Sequence, residues 1–81
     1  MLTVNKAKTN VKDFAAKYSL TKIWPNGMLS ANIDGTEISV ESNGNICVEK
    51  KTSEEDGDYD VSDFALNVLY DMISSGDVIK K

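Results

Sequence analysis

The chain has 81 residues, 41% of them hydrophobic, a single cysteine, no histidine and a net charge of −4. That length suits one domain with a thin core. The lone Cys47 excludes an internal disulfide and a four-cysteine zinc site, and fits a reducing, cytoplasmic setting.

Met1 to Val4 is apolar and suits a short edge strand. No basic start leads into an apolar run, so no signal peptide is expected. The longest apolar run is too short to span a bilayer. Asn10 then caps a helix predicted over 9–19, and Asp13 three residues on is a weak echo of a capping box. Val11, Phe14, Ala15 and Tyr18 form its apolar face. The lysines point away, so this helix is basic outside. Lys6, Lys8, Lys12, Lys17 and Lys22 face only Asp13 in this region, which gives it +4 and leaves −8 for the remainder.

From Leu20 the apolar period changes to two. Turn signals at Pro25-Asn26-Gly27, Asp34-Gly35 and Asn43-Gly44-Asn45 divide the stretch into strands at 20–24, 28–33, 36–42 and 46–50. A two-residue turn at Asp34-Gly35 sets Ile33 opposite Thr36, Ala31 opposite Ile38 and Leu29 opposite Val40. A loop of Pro25 to Gly27 sets Ile23 opposite Leu29. A three-residue loop of Asn43 to Asn45 sets Val40 opposite Val48 and keeps the faces in phase. The prediction is an antiparallel meander with Ile23, Leu29, Ala31, Ile33, Ile38, Val40, Ile46 and Val48 on one face. Both helices are expected to cover that face. The other face is mostly polar, as a solvated antiparallel face should be. Trp24, Met28 and Cys47 are its apolar exceptions and fall in one lateral row, with Glu41 between Met28 and Cys47.

An acidic loop is predicted over 51–60. Glu54, Glu55, Asp56, Asp58, Asp60 and Asp63 lie close together with no cation among them. The dominant helix follows over 61–75. Val61, Phe64, Ala65, Val68, Leu69, Met72 and Ile73 recur at helical spacing as one broad stripe. Asp60 or Ser62 suits its N-cap, Asp63 its positive end, and Gly76 the left-handed residue just beyond it. Asp77 to Lys81 is a short tail whose Val78 and Ile79 suit pairing on a sheet edge. The fold class is therefore α+β: an N-terminal helix, a four-stranded meander, and a C-terminal helix packed on one face of the sheet, as one domain over 1–81.

Asp56, Asp58 and Asp60 have the first, third and fifth spacing of a calcium loop. Val61 stands where glycine is needed, and Asn67 where a bidentate glutamate is needed, so no metal site is expected. Phe14, Ala15, Ala16 and Tyr18 resemble the opening helix of a helix-turn-helix regulator. Pro25 and Gly27 stop any recognition helix beginning at Leu20. Without histidine the commonest acid–base catalyst is missing, and Cys47 has no base to activate it. The absence of arginine weakens phosphate and guanine recognition. No enzyme activity, cofactor, catalytic residue or direct nucleic-acid contact is expected.

What remains is protein binding. A string of carboxylates beside a rigid helix can copy the phosphate spacing of nucleic acid and occupy a basic groove. The lysine-for-arginine composition, rich in asparagine and isoleucine, suits an AT-rich genome. In architecture and composition the chain resembles small phage-encoded inhibitors, some acidic anti-CRISPR proteins among them. No motif carries over, so the resemblance implies no residue roles. The expected function is an inhibitor or adaptor that docks its acidic loop and helix start on a larger host protein, such as a nucleic-acid-binding enzyme. The alternative is a self-associating protein of the immunity or antitoxin kind. It would pair as a homodimer through the Trp24, Met28 and Cys47 face.

Overall fold

The computed structural model describes residues 1–50 and 62–81. In chain order the elements are β1 (Leu2–Val4), α1 (Val11–Lys17), β2 (Lys22–Ile23), β3 (Leu29–Ile33), β4 (Thr36–Val40), β5 (Ile46–Lys50), α2 (Asp63–Ser74) and β6 (Val78–Lys80). The architecture is α+β, with a four-stranded antiparallel sheet in the order β2-β3-β4-β5. β1 and β6 pair antiparallel as a second, two-stranded sheet. A bridge from Thr3 to Asn45 joins the two sheets at the end of β5. Among the described residues no helix is long and apolar enough to cross a membrane.

Local chemistry explains where each element starts and stops. The Asn10 side chain accepts from the Asp13 amide at 2.9 Å, so α1 begins at the expected cap. It ends two residues early. Leu20 N–H reaches back to the Ala15 carbonyl at 2.8 Å, with Ser19 between them at φ 62. This is a Schellman-type stop with serine at the position glycine usually fills. A left-handed serine is strained by its Cβ, and glycine relieves that strain while loosening the unfolded chain. Ser19→Gly is therefore expected to stabilise the fold by roughly 0.5–1 kcal/mol. A urea titration reads this as a raised midpoint with an unchanged slope.

The hairpins follow their glycines. Asp34 (φ 51) and Gly35 (φ 85) form the two-residue turn, and β3 meets β4 in the expected register. Ile23 sits opposite Leu29 as expected. The β4–β5 register differs by two residues: Val40 faces Ile46 and Ile38 faces Val48. The loop has three residues, but they are Ser42 to Gly44. Gly44 N–H donates to the Glu41 carbonyl and Glu41 N–H to the Asn45 carbonyl, both at 2.8 Å. A three-residue hairpin loop needs its left-handed residue last, and Gly44 at φ 98 supplies it. The loop predicted at 43–45 would have put Asn45 there. A shift of two keeps every side chain on its face, so the core survives the error.

α2 is capped by Ser62, whose Oγ accepts from the Ala65 amide at 3.0 Å. Asp60 lies outside the described residues. Gly76 takes φ 82 just past the helix, as expected. One core cluster joins Phe14 and Ala15 of α1, Leu20, Ile38 and Val40 of β4, Ile46 of β5 and Ala65 and Met72 of α2. Val4 and Val78 extend it into the small sheet.

The predicted core face and helix stripe are broader than the real ones. Ile23 is 76% exposed and Phe64 67%, with Val48 and Ile73 also exposed. A helix about 10 Å across covers roughly two strands set about 4.8 Å apart. β4 and the start of β5 are therefore sealed, with Ile38, Val40 and Ile46 buried, while Ile23 of β2 and Val48 further along β5 are left uncovered. On α2, Ala65 and Met72 point inward with Val68 and Leu69 partly buried beside them. Phe64 and Ile73 fall on the two shoulders of that stripe.

Candidate functional site

Of the acidic residues, Glu54, Glu55, Asp56, Asp58 and Asp60 lie outside the described residues, as does Val61. Asp63 is the first residue of α2 and is exposed. Its position is set by Ser62 rather than by the helix alone. Ser62 Oγ donates to the Ile33 carbonyl at 3.1 Å, and Ser62 N–H donates to Thr36 Oγ1 at 3.0 Å. One serine thus caps the helix and staples its start to the β3–β4 turn. Thr36 is buried, so the staple sits at the edge of the core. Phe64, which the sequence pattern assigned to the core, stands in solvent next to Asp63. Tyr70 is also exposed on the outward side of α2.

The Trp24 row is only partly as expected. Trp24 pairs with Met28 across the β2–β3 loop, its N–H donating to the Met28 carbonyl at 2.9 Å. The register shift puts Ser39, not Glu41, opposite Cys47. The Cys47 thiol still reaches Glu41 Oε1 at 3.6 Å. Trp24 is not a free docking ring. Its Nε1 donates to Ser30 Oγ at 2.8 Å, and the Lys22 ammonium stands 4.1 Å from the ring centroid. Ser30 is fully buried and Ser39 nearly so, although both lie on the face expected to be solvated. The indole serves as a cover over small residues and satisfies its own N–H in doing so. Met28 and Cys47 are half-buried. Burial pushes the Cys47 thiol above its ordinary range, and Glu41 and Glu49 push it further. A thiol held protonated is a poor nucleophile. Trp24→Phe is expected to destabilise the fold by about 1 kcal/mol, because it leaves buried Ser30 Oγ without its donor. Equilibrium unfolding in urea measures this, and an unchanged midpoint would show the indole to be dispensable.

Little in the sequence marks the most connected polar group among the described residues. Asp77, read as part of a tail, is buried at 3% exposure. Its carboxylate accepts from Lys17 Nζ at 2.6 Å, Tyr18 OH at 2.7 Å and Ser75 Oγ at 3.0 Å. Lys8 Nζ lies 3.8 Å from its other oxygen and also donates to the Ser75 carbonyl. The Asp77 backbone joins in, its carbonyl accepting from the Asn5 amide at 2.8 Å. The Lys17 and Tyr18 donors hold the Asp77 carboxyl far below the usual carboxylate range, against the opposing effect of burial. Its hydrogen bond with Asp77 raises Lys17, and burial raises Tyr18. Among the described residues no buried side-chain polar atom lacks a hydrogen-bond partner, and here the groups are tied to one another. The arrangement fastens α1, the α2–β6 turn and the segment after β1 together. The only hint in the sequence was an aspartate directly after the helix-ending Gly76, between Ser75 and an apolar strand.

Among the described residues no three His, Cys, Asp or Glu side chains converge so as to hold a metal ion. No family model matches the chain, and neither a curated protein nor a solved structure shows significant similarity to it.

Proposed function

We propose that this chain is a small, non-enzymatic binding protein that inhibits or adapts a larger partner through the start of α2 and the acidic run leading into it. The partner surface is a basic groove of the kind that holds nucleic acid. The observation that carries this reading is Phe64. It is 67% exposed on a helix start that Ser62 clamps to the sheet. A rigid aromatic anchor beside Asp63, continuous in sequence with Glu54, Glu55, Asp56, Asp58 and Asp60, joins apolar contact to long-range charge attraction. Carboxylates steer the encounter and the ring holds the complex. Self-association through the Trp24 face has less to offer, because the indole already covers Ser30 and carries Lys22.

Capture from a lysate of the encoding organism tests this, with three baits run in parallel. The wild-type chain should retain a nucleic-acid-binding protein that elutes as salt rises. The D56N/D58N/D60N triple variant should lose it. Phe64→Ala should weaken it by about 2 kcal/mol, roughly thirtyfold, if the ring is the anchor. Retention that both variants and high salt leave untouched would remove the basic groove from consideration.

A further inference from the structure

The chain contains two Asn-Gly pairs, Asn26-Gly27 and Asn43-Gly44, in hairpin loops of the same type. In each, the asparagine is the middle loop residue and is exposed. Its Oδ1 accepts from the backbone amide two residues on, Met28 at 3.1 Å and Asn45 at 3.0 Å. Each glycine has positive φ, 88 and 98, and donates its N–H back across the loop, to Trp24 at 2.9 Å and Glu41 at 2.8 Å. The two loops lie side by side: a Cβ on Gly27 would meet Ser42 Cβ at 3.9 Å.

The tertiary surroundings separate them. Gly44 is buried. Its carbonyl accepts from the Val4 amide at 2.8 Å and from Thr3 Oγ1 at 3.2 Å, so β1 lies across the loop. A Cβ there would come within 3.1 Å of Lys6 Cε and 3.4 Å of Thr3 Oγ1. Gly27 is exposed, and among the described residues its backbone bonds only within its own loop.

From this contrast we propose that Asn26 is a site of selective, spontaneous deamidation, and that β1 shields Asn43 from the same reaction. The Gly27 backbone nitrogen attacks Asn26 Cγ. A carbon–nitrogen bond forms, the side-chain amide bond breaks, and the nitrogen's proton leaves with the amide as ammonia. Water then opens the five-membered imide at either carbonyl, leaving an aspartyl or isoaspartyl residue at position 26. The balance is one water consumed and one ammonia released, with no oxidant or reductant. For the nitrogen to attack, both loop hydrogen bonds must open. At Asn26 that is a local event at the edge of the sheet. At Asn43 the bonds from Thr3 and Val4 must break as well, and a higher opening cost means a rarer reactive state. The product adds a carboxylate, two positions along from Trp24, to a chain already at −4. The isoaspartyl form also lengthens the backbone within the turn.

The whole chain, held folded at mildly alkaline pH, is digested after glutamate and followed by mass spectrometry. Cleavage after Glu37, Glu41 and Glu49 places the two asparagines in different peptides, and fragment ions separate Asn26 from Asn5, Asn10 and Asn32, and Asn43 from Asn45. Asn26 should react on the order of tenfold faster than Asn43, the factor that about 1.4 kcal/mol of extra opening cost gives. In guanidinium chloride the two should react at comparable rates, because glycine follows both. Thr3→Val should accelerate Asn43 and leave Asn26 unchanged. Equal rates in the folded chain, a faster Asn43, or an Asn26 that reacts only when unfolded would each overturn the proposal. A Thr3→Val chain with no gain at Asn43 would overturn the shielding by β1.

Discussion

Asp77→Ala is expected to destabilise the protein by about 3 kcal/mol and to lower its melting temperature by more than about 10 °C. The reason is the asymmetry of buried polar networks. A satisfied network contributes modestly, but removing its centre strands the groups around it. Here the stranded groups are Tyr18 OH, Ser75 Oγ and the Lys17 ammonium. The figure sits at the low end for breaking a buried ion pair, because the Lys17 side chain is 56% exposed and water can take it back. For a chain of this length, whose total stability is roughly 4–12 kcal/mol, that loss is large. The sign of the pH dependence follows from the same contacts. The folded state holds Asp77 ionised below the usual carboxylate range. Its stabilisation is therefore complete at neutral pH and is lost as acid carries the medium below about pH 4. Asp77→Asn keeps the shape and removes the titration, so its acid limb should be shallower than that of the wild-type chain. Denaturant titrations across the acid range decide this. An alanine variant with wild-type stability would mean that the cluster is a surface arrangement with no structural weight.

The second large effect is expected at Phe14, where alanine should cost about 3–4 kcal/mol. Phe14 is 1% exposed in the middle of the one core cluster. The α1 helix that carries it spans only Val11–Lys17, and Phe14 is its one large fully buried side chain, with the smaller Ala15 beside it. The ring also packs 5.0 Å from the Tyr18 ring, at a tilt of 50°. Tyr18 in turn donates to Asp77. Cavity and network are thus joined through one side chain, and the two substitutions should not add. A double-mutant cycle of Phe14→Ala and Asp77→Ala should show a coupling on the order of 1 kcal/mol, read from urea unfolding. Strict additivity would show that the core and the polar fastening act independently.

Local rules account for most of the fold. Period-two alternation and left-handed glycines defined the meander. Asn10, Ser62 and Gly76 marked helix ends, because caps and positive φ are chemistry of one or two residues. The β4–β5 register lies two residues from the predicted one because Gly44, not Asn45, takes the left-handed last position of the loop. The shift left the faces intact because the pleat repeats every two. The expected Trp24 row was partly legible for the same reason, since alternation put Trp24, Met28 and Cys47 on one face. It could not show that Trp24 would lie down on Ser30. The acidic run was legible as charge, and all of it but Asp63 lies outside the described residues. The exposure of Phe64 was not legible, since helical periodicity shows which side is apolar but not how wide a strip the sheet can cover.

Contacts between distant residues were the illegible part. Asp77 meets Lys17 and Tyr18 across about sixty positions, and β1 finds β6 from the opposite end of the chain. Such pairings carry no period and no local motif. They arise because the core draws the ends together, and the polar groups left inside must then find one another or incur the full cost of lost hydration. The strands, turns and caps were therefore written in neighbouring residues. The closing of the ends, the width of the sealed core, the rings left in water and the loop that β1 shields were settled only when the chain packed against itself.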